Sequence, residues 1–438
     1  MHTQDSEYTI PDTKPELERG PLWLRNRRRL SRDDFNRTPL PHRALHLWRY
    51  TNPTSFLSPL TDTADISDSE DYGDAEKTSL KHLKEGDLAG LVTDLGGREI
   101  KGYGLDQLTV RGVVVSPLSR AVEEHHDLVE QYLYGLVNSQ TGKFEGLNGA
   151  LWNDGIFIYI PDNITVENPI NLHRLAGRAG SARFHRLLVV VGANAEVTVV
   201  DEYGGGSPDT GDNPSYTNSA VEIFGLENSR TRYVALQRQT RGANSYLTHR
   251  ARIERGASML TIPLSFGGAL SKQNFGVILN GKGAESNMFG LLFGNGRQHF
   301  DNHTLHHHTS GQTKSNINMK VVLRDKALSA YTGLIRIEKD SQVCEAYQEN
   351  RNLLLSHGAM ARTIPELEIL NDDVSCSHGA TVGPIDPQIL FYLQSRGVEK
   401  EDAVRMIVSG FVASTLTLVP EDLRQRIDDF VARRLEDI

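Results

Sequence analysis

From about Gly146 to Gly383 the chain runs for more than two hundred residues with few helical patterns and one alternating apolar face after another. Ile317, Met319, Val321 and Leu323 alternate with Asn318, Lys320 and Val322, as a strand with one buried face requires. Leu247, His249, Ala251 and Ile253 repeat the pattern, and Ala195, Val197 and Val199 form another such face. Tight turns containing Gly-Ala separate the strands, at Gly192-Ala193, Gly256-Ala257, Gly283-Ala284 and Gly358-Ala359. Glycine supplies the backbone angles of a corner and alanine fits beneath it. The turn intervals are irregular, which excludes propeller blades and a strict hexapeptide repeat. Such a chain folds as stacked coils of a β-helix or as a large sandwich, and the strand pattern does not choose between them.

Helical spacing flanks this core. Between Pro21 and about Gly135, Ser116-Pro117 reads as an N-cap followed by proline at the first helical position. Leu118, Val122, Leu128, Val129, Tyr132, Leu133 and Leu136 then follow at helical intervals. After Gly383, Asp386-Pro387 opens a helix through Ile389, Leu390 and Leu393 that Gly397 ends. A second helix is predicted over 399–418. A third begins at Pro420, with Leu423, Ile427, Phe430, Val431 and Leu435 on one stripe. Such a short tail caps the β region or also docks a partner. The chain thus divides into a helical region over 1–140, a β core over 141–383 and a helical region over 384–438. Asp65, Asp68, Glu70, Asp71 and Asp74, in the stretch between Asp62 and Glu76, mark a solvated loop.

The formal charge of −9, from 47 basic and 56 acidic residues, offers no basic footprint for nucleic acid. The N-terminus MHTQDSEYTIPD has neither the basic start nor the apolar core of a signal peptide. No apolar stretch reaches the roughly 20 residues that span a bilayer. A soluble, cytoplasmic protein is expected. Two cysteines, Cys344 and Cys376, exclude a disulfide-stapled scaffold, a zinc ribbon and a self-sufficient four-thiolate cluster.

The densest histidine group is His299, His303, His306, His307 and His308. On a helix His303 and His307 would share a face and could bind a metal; on a strand His306 and His308 share one and His307 points away. The surrounding pattern favours the strand, hence structural or surface histidines, and a metal enzyme built on this patch is the lesser reading. The second group is Asp372-Asp373-Val374-Ser375-Cys376-Ser377-His378. If extended, Cys376 and His378 project from one face and could ligate iron or zinc. The plainer alternative is a buried thiol beside a hydrogen-bonded histidine. Cys344 reads as a packed apolar group. Neither a GxSxG elbow, a phosphate loop nor a dinucleotide fingerprint occurs.

Several motifs carry a resemblance: QENRNLLLSHGA over 348–359, PELEIL over 365–370, DDVSCSHGATVGPID over 372–386 and LFYLQSRGV over 390–398. Weaker echoes are PLWLRNRR over 21–28, LHLWRYTNP over 45–53 and DNHT over 301–304. On these residues the chain resembles the SufB/SufD family of iron–sulfur cluster assembly scaffolds, across nearly its whole length. The acidic segment and the glycine-rich Gly204–Asp209 look like insertions relative to the family pattern.

The resemblance implies a right-handed parallel β-helix between helical ends, without enzymatic activity of its own. It also implies a complex with a SufB paralogue through the β-helix and with the ABC-type ATPase SufC, docked on the C-terminal helices. No cofactor would be held permanently; a transient iron–sulfur cluster would be shared with the paralogue. The family's interface ligand falls on His378 and the neighbouring motif cysteine on Cys376. SufB-like chains carry a HEAT-like motif there and an essential cysteine in the segment matching Arg351–Leu354. Here the motif is SHGAT and that segment has no thiol, which favours the SufD branch. Alone, such a chain would pair with itself. The rival is a β-helix enzyme acting on polysaccharide, which needs a groove of clustered carboxylates.

Overall fold

The computed structural model describes residues 8–57, 87–94, 100–177, 179–205 and 214–435. The acidic stretch over 62–76 and most of the glycine-rich excursion lie outside them. Two sheets, one of ten strands and one of nine, face each other as a parallel β-solenoid of about 8 turns. From Asp154–Ile160 onward successive strands alternate between the sheets, so each pairs in parallel with the strand two along. This settles the choice between coils and sandwich. A sandwich of antiparallel hairpins would pair neighbours in sequence, whereas here His299–His308 lies between Leu270–Leu279 and Leu328–Ile337.

The alternation read in the sequence fills the lumen. Ile156, Ile158, Leu187, Val189, Val221, Ile223, Ala251 and Ile253 from one sheet meet Val197, Val199, Tyr233, Met259, Met288 and Ile317 from the other in one buried cluster. Each fully buried aliphatic side chain contributes roughly 1.5–3 kcal/mol.

One corner of six successive coils uses the same backbone device. A residue in the left-handed region stands at Asn194, Asn228, Gly256, Gly283, Gln312 and Val343. The next residue is small or short and buried: Ala195, Ser229, Ala257, Ala284, Thr313 and Cys344. Two of the predicted Gly-Ala turns are members of this ladder. At Gly192-Ala193 the corner lies two residues further on, at Asn194-Ala195. Asparagine is the non-glycine residue that best tolerates these angles, and Asn194 donates to Asn163 at 3.0 Å while Asn228 donates to Asn194 at 3.2 Å.

Among the described residues eight α-helices accompany the coils: α1 (Leu22–Arg37), α2 (Asp106–Val110), α3 (Leu118–Glu124), α4 (His126–Tyr132), α5 (Lys143–Leu151), α6 (Pro387–Ser395), α7 (Lys400–Leu416) and α8 (Glu421–Leu435). Pro117 is itself the N-cap of α3, not its first turn, because it still pairs with Ile156 in the sheet. The helix predicted through Leu136 breaks at His125 into α3 and α4. The N-terminal region also contributes strands: Gly90–Asp94 joins the ten-stranded sheet and Val114–Pro117 the nine-stranded one.

The helical regions cover opposite outer faces. Leu24, Phe35, Leu118, Val122, Phe144 and Leu147 pack on Phe157, Leu188, Val190 and Tyr216 of the nine-stranded sheet. Val404, Val408, Val412, Leu423, Ile427 and Val431 from α7 and α8 pack on Val234, Ile262, Leu264, Leu291 and Phe293 of the ten-stranded sheet. Glu202 bolts α8 down: Arg426 donates to both its oxygens at 2.8 and 2.9 Å, Arg238 also donates to it, and His173 lies 3.3 Å away. Those cations hold the Glu202 carboxyl well below the ordinary carboxylate range despite its burial. No helix of the described residues is long and apolar enough to cross a membrane.

Candidate functional site at the open end of the solenoid

The last three strands, Cys344–Leu354, Met360–Ile369 and Val374–Pro384, form the C-terminal end of the solenoid. Val374–Pro384 ends the ten-stranded sheet and Met360–Ile369 the nine-stranded one, and no strand of the described residues pairs with their outer edges. Burial falls accordingly: the preceding coils are sealed, whereas most of Val374–Pro384 is exposed. Ten- and eleven-residue edges with free N–H and C=O groups are templates for another strand.

Both predicted site residues stand on this edge. Val374–Pro384 is extended, so Cys376 and His378 share a face as the spacing predicts. Cys376 packs against the lumenal cluster, which identifies that face as the mouth of the solenoid. Cys376 is half-buried and His378 exposed. Their register partners on Cys344–Leu354 are Ala346 and Gln348, both buried. Burial pushes the Cys376 thiol up, and Cys344 on the same face adds to the rise. A neutral thiol is the resting form, and a cation arriving at the edge would favour thiolate.

Cys344 takes the other role the sequence allows. It is 1 % exposed and fills the last small-residue corner, with Thr313 Oγ1 3.2 Å from its sulfur and the Ser341 carbonyl at 3.3 Å. It packs as an apolar group.

The histidine patch lies on one strand, His299–His308, and follows the extended reading. His306 and His308 point into the lumen. His306 Nε2 lies 3.0 Å from Ser286 Oγ, and His308 sits between Thr313 at 2.7 Å and Ser315 at 2.9 Å. Burial lowers His306 to about 3 and His308 to about 4. His307 points outward, 2.7 Å from Glu338. His303 belongs to a buried cluster with Asp301 at 2.8 Å and Lys272 Nζ at 2.9 Å. Among the described residues no group of three or more His, Cys, Asp and Glu is placed to hold a metal ion.

That Asp301 cluster explains two of the weaker motifs. Lys272 donates to the Leu47 carbonyl at 2.6 Å and lies 4.8 Å over the Trp48 ring, while Thr51 donates to Asp301. The segment over 45–53 is thereby laid along the outer face of the nine-stranded sheet. There it reaches the edge strand: Arg362 lies 5.0 Å over Tyr50, and His46 is 3.5 Å from Glu366. The arm braces the last coil from outside.

Sequence reasoning passed over the lumenal amide row beneath the edge. Gln348, Asn350 and Asn352 alternate along Cys344–Leu354 and are all buried. Asn352 Nδ2 donates to Asn350 Oδ1 at 2.7 Å and to the Thr381 carbonyl at 2.9 Å, tying the edge strand to its neighbour. A QxNxN alternation inside a strand was the available signal: three amides in register with Ile317, Met319 and Val321 of the preceding coil.

Comparison with known proteins agrees with this geometry. The family described as SUF system FeS cluster assembly, SufBD core domain, matches residues 173–411, and the SufBD protein N-terminal region matches residues 98–172. The iron–sulfur cluster assembly protein SufD of Bacillus subtilis is 28% identical over 440 residues, covering 99% of this chain and 98% of the relative. SufB of the same organism is 25% identical, over 96% of this chain and 91% of the relative. A SufBD family protein of Staphylococcus saprophyticus is 24% identical over the same shares. With more than half of its length matched by the core alone, and the solenoid that the resemblance implies in place, the chain belongs to the SufB/SufD family of iron–sulfur cluster assembly proteins.

Proposed function

We propose that this chain is a non-catalytic, cytoplasmic scaffold subunit of a SufBCD-type complex, on the SufD side of the family. It pairs its open solenoid end with a SufB paralogue and supplies His378, with Cys376 beside it, to an iron–sulfur cluster built across that junction. The observation that carries the reading is the placement of Cys376 and His378 on one face of an exposed edge strand whose outer side pairs with no strand of the described residues. Two thiols in the whole chain cannot hold a cluster alone, so a partner completes the ligand set. The cluster is cargo: imidazole in place of thiolate changes its charge, and ligation divided across a separable junction suits release better than storage.

The C-terminal helices support an ATPase-docking role. While α7 and α8 pack inward, α6 buries none of its residues, and Ile389, Phe391 and Tyr392 stand exposed on it with Met406 of α7. A patch of large apolar side chains on a helix already anchored to the core is a surface for a partner protein. The polysaccharide reading loses ground, because helices cover the outer faces of both sheets along which a substrate groove would run. The test is reconstitution with a SufB-type subunit and a SufC-type ATPase. His378→Ala should abolish cluster formation, measured as iron and sulfide per complex under anaerobic conditions, with the complex still assembled. Wild-type cluster yield in that variant would refute the role.

A further inference from the structure

Gln348 is the residue that the motif QENRN places directly beneath His378, as its register partner on the neighbouring strand. It is 3 % exposed, and its amide is used by half. Nε2 donates to the Gly333 carbonyl at 3.2 Å, which fixes the orientation of the amide, while Oε1 is buried without a hydrogen-bond partner. The room for this arrangement comes from Gly333. A Cβ there would stand 2.1 Å from Gln348 Nε2, so no other residue leaves the amide where it is. A buried amide oxygen without a partner costs about 1–3 kcal/mol, and a fold keeps such a group where something else makes use of it. Parallel strands run about 4.8 Å apart, and His378 shares the lumenal face with Gln348. Among the described residues His378 has no hydrogen-bond partner of its own.

We infer that Gln348 is a positioning residue for His378: the two are not bonded in this structure, and a turn of the exposed imidazole brings its N–H onto Gln348 Oε1, which fixes the ring's tautomer and aim so that the other ring nitrogen faces the partner across the edge. The inference rests on the ligand role proposed for His378 and adds the group that orients it. Ligating imidazoles generally donate their second nitrogen to an acceptor of this kind, which sets the tautomer and raises ligand basicity. Here the acceptor is in place before any ligand arrives, held from behind by the Gly333 carbonyl.

The test reads the ring itself. In the full chain labelled with 15N-histidine, the His378 signals are assigned by their loss in His378→Ala, and its tautomer ratio is measured at a pH where the ring is neutral. Gln348→Leu should shift that ratio by about fivefold towards the mixture of a free imidazole, the worth of one ordinary hydrogen bond. Gln348→Glu also gives up the donor to Gly333 but keeps an acceptor beside His378, and should restore the single tautomer. Gly333→Ala, which pushes the amide aside, should behave like the leucine variant. An unchanged ratio in Gln348→Leu, with melting behaviour intact, overturns the inference. In the reconstituted complex Gln348→Leu should lower cluster yield and Gln348→Glu recover it; a moved tautomer with full yield overturns the positioning role. Full yield in His378→Ala instead removes the ligand role underneath, so the two failures are told apart.

Discussion

Acid should unfold this protein through its buried histidines before its carboxylates matter, and His249 isolates the effect. Its ring is stacked on Tyr233 at 4.9 Å and lies 5.3 Å from Phe275, with neither ring nitrogen hydrogen-bonded. Burial lowers it to about 3, as it lowers His306 to about 3 and His308 to about 4. As pH falls through about 6.5 the unfolded chain takes up a proton on each ring while the folded chain takes up none until near pH 4. The stability these groups contribute is therefore complete above about pH 6.5 and is lost progressively below it. Near pH 5 the unfolded state holds about three more protons, a slope of about 4 kcal/mol per pH unit. His303 and His299 are shifted in the same direction and steepen it. Glu202 and Asp301 are shifted down, so their contribution fades only below about pH 4, the ordinary carboxylate range. His249→Phe removes one titrating ring and two unpartnered nitrogens from an aromatic slot. It should stabilise the fold at pH 7 by about 1–3 kcal/mol. It should also reduce the acid slope by one proton, about 1.4 kcal/mol per pH unit. Urea unfolding at a series of pH values between 4.8 and 6.2 (a range bounded by about the values above) measures both. Equal slopes in the two proteins would show that His249 takes up no extra proton on unfolding.

Other outcomes follow from single contacts. Glu202→Gln should cost about 2–3 kcal/mol, discounted because Arg238 and Arg426 can turn to water, and should speed amide exchange in α8 above all. Val343 holds a left-handed angle, φ 58°, with a β-branched, exposed side chain, so Val343→Gly should raise the stability by about 1 kcal/mol in thermal melts. Cys344→Ala should cost about 1–2 kcal/mol in denaturant yet leave the cluster yield of the reconstituted complex unchanged, because the thiol fills a corner. Loss of clusters in that variant would give Cys344 the ligand role instead.

The alternation of Ile317, Met319, Val321 and Leu323 made the strands legible, and Asp386-Pro387 the start of α6, where Asp386 accepts from the Gln388 N–H at 2.8 Å. What sequence patterning missed was the repeat. Six successive coils return to a left-handed residue followed by a small one, but Asn, Gly, Gln and Val all occupy the first position and Ala, Ser, Thr and Cys the second. The repeat is one of backbone angle, and residue identity encodes it only loosely. The shared face of Cys376 and His378 was readable from a spacing of two; that this face opens at the end of a solenoid was not, since exposure there depends on which strand has no neighbour. Gln348 shows the same limit. Its motif was visible, but its free oxygen depends on Gly333, fifteen residues away in sequence and adjacent only across the lumen.

If His378 reaches a cluster across the open edge, its imidazole nitrogen must couple to the electron spin of that cluster. The most direct measurement is the hyperfine spectrum of the reduced, paramagnetic cluster on the reconstituted complex carrying 15N-histidine in this subunit alone. A nitrogen coupling of a ligated imidazole, present in the wild type and absent in His378→Ala, is the predicted result. A cluster that forms with no coupling to this subunit's histidines would show that His378 is not its ligand.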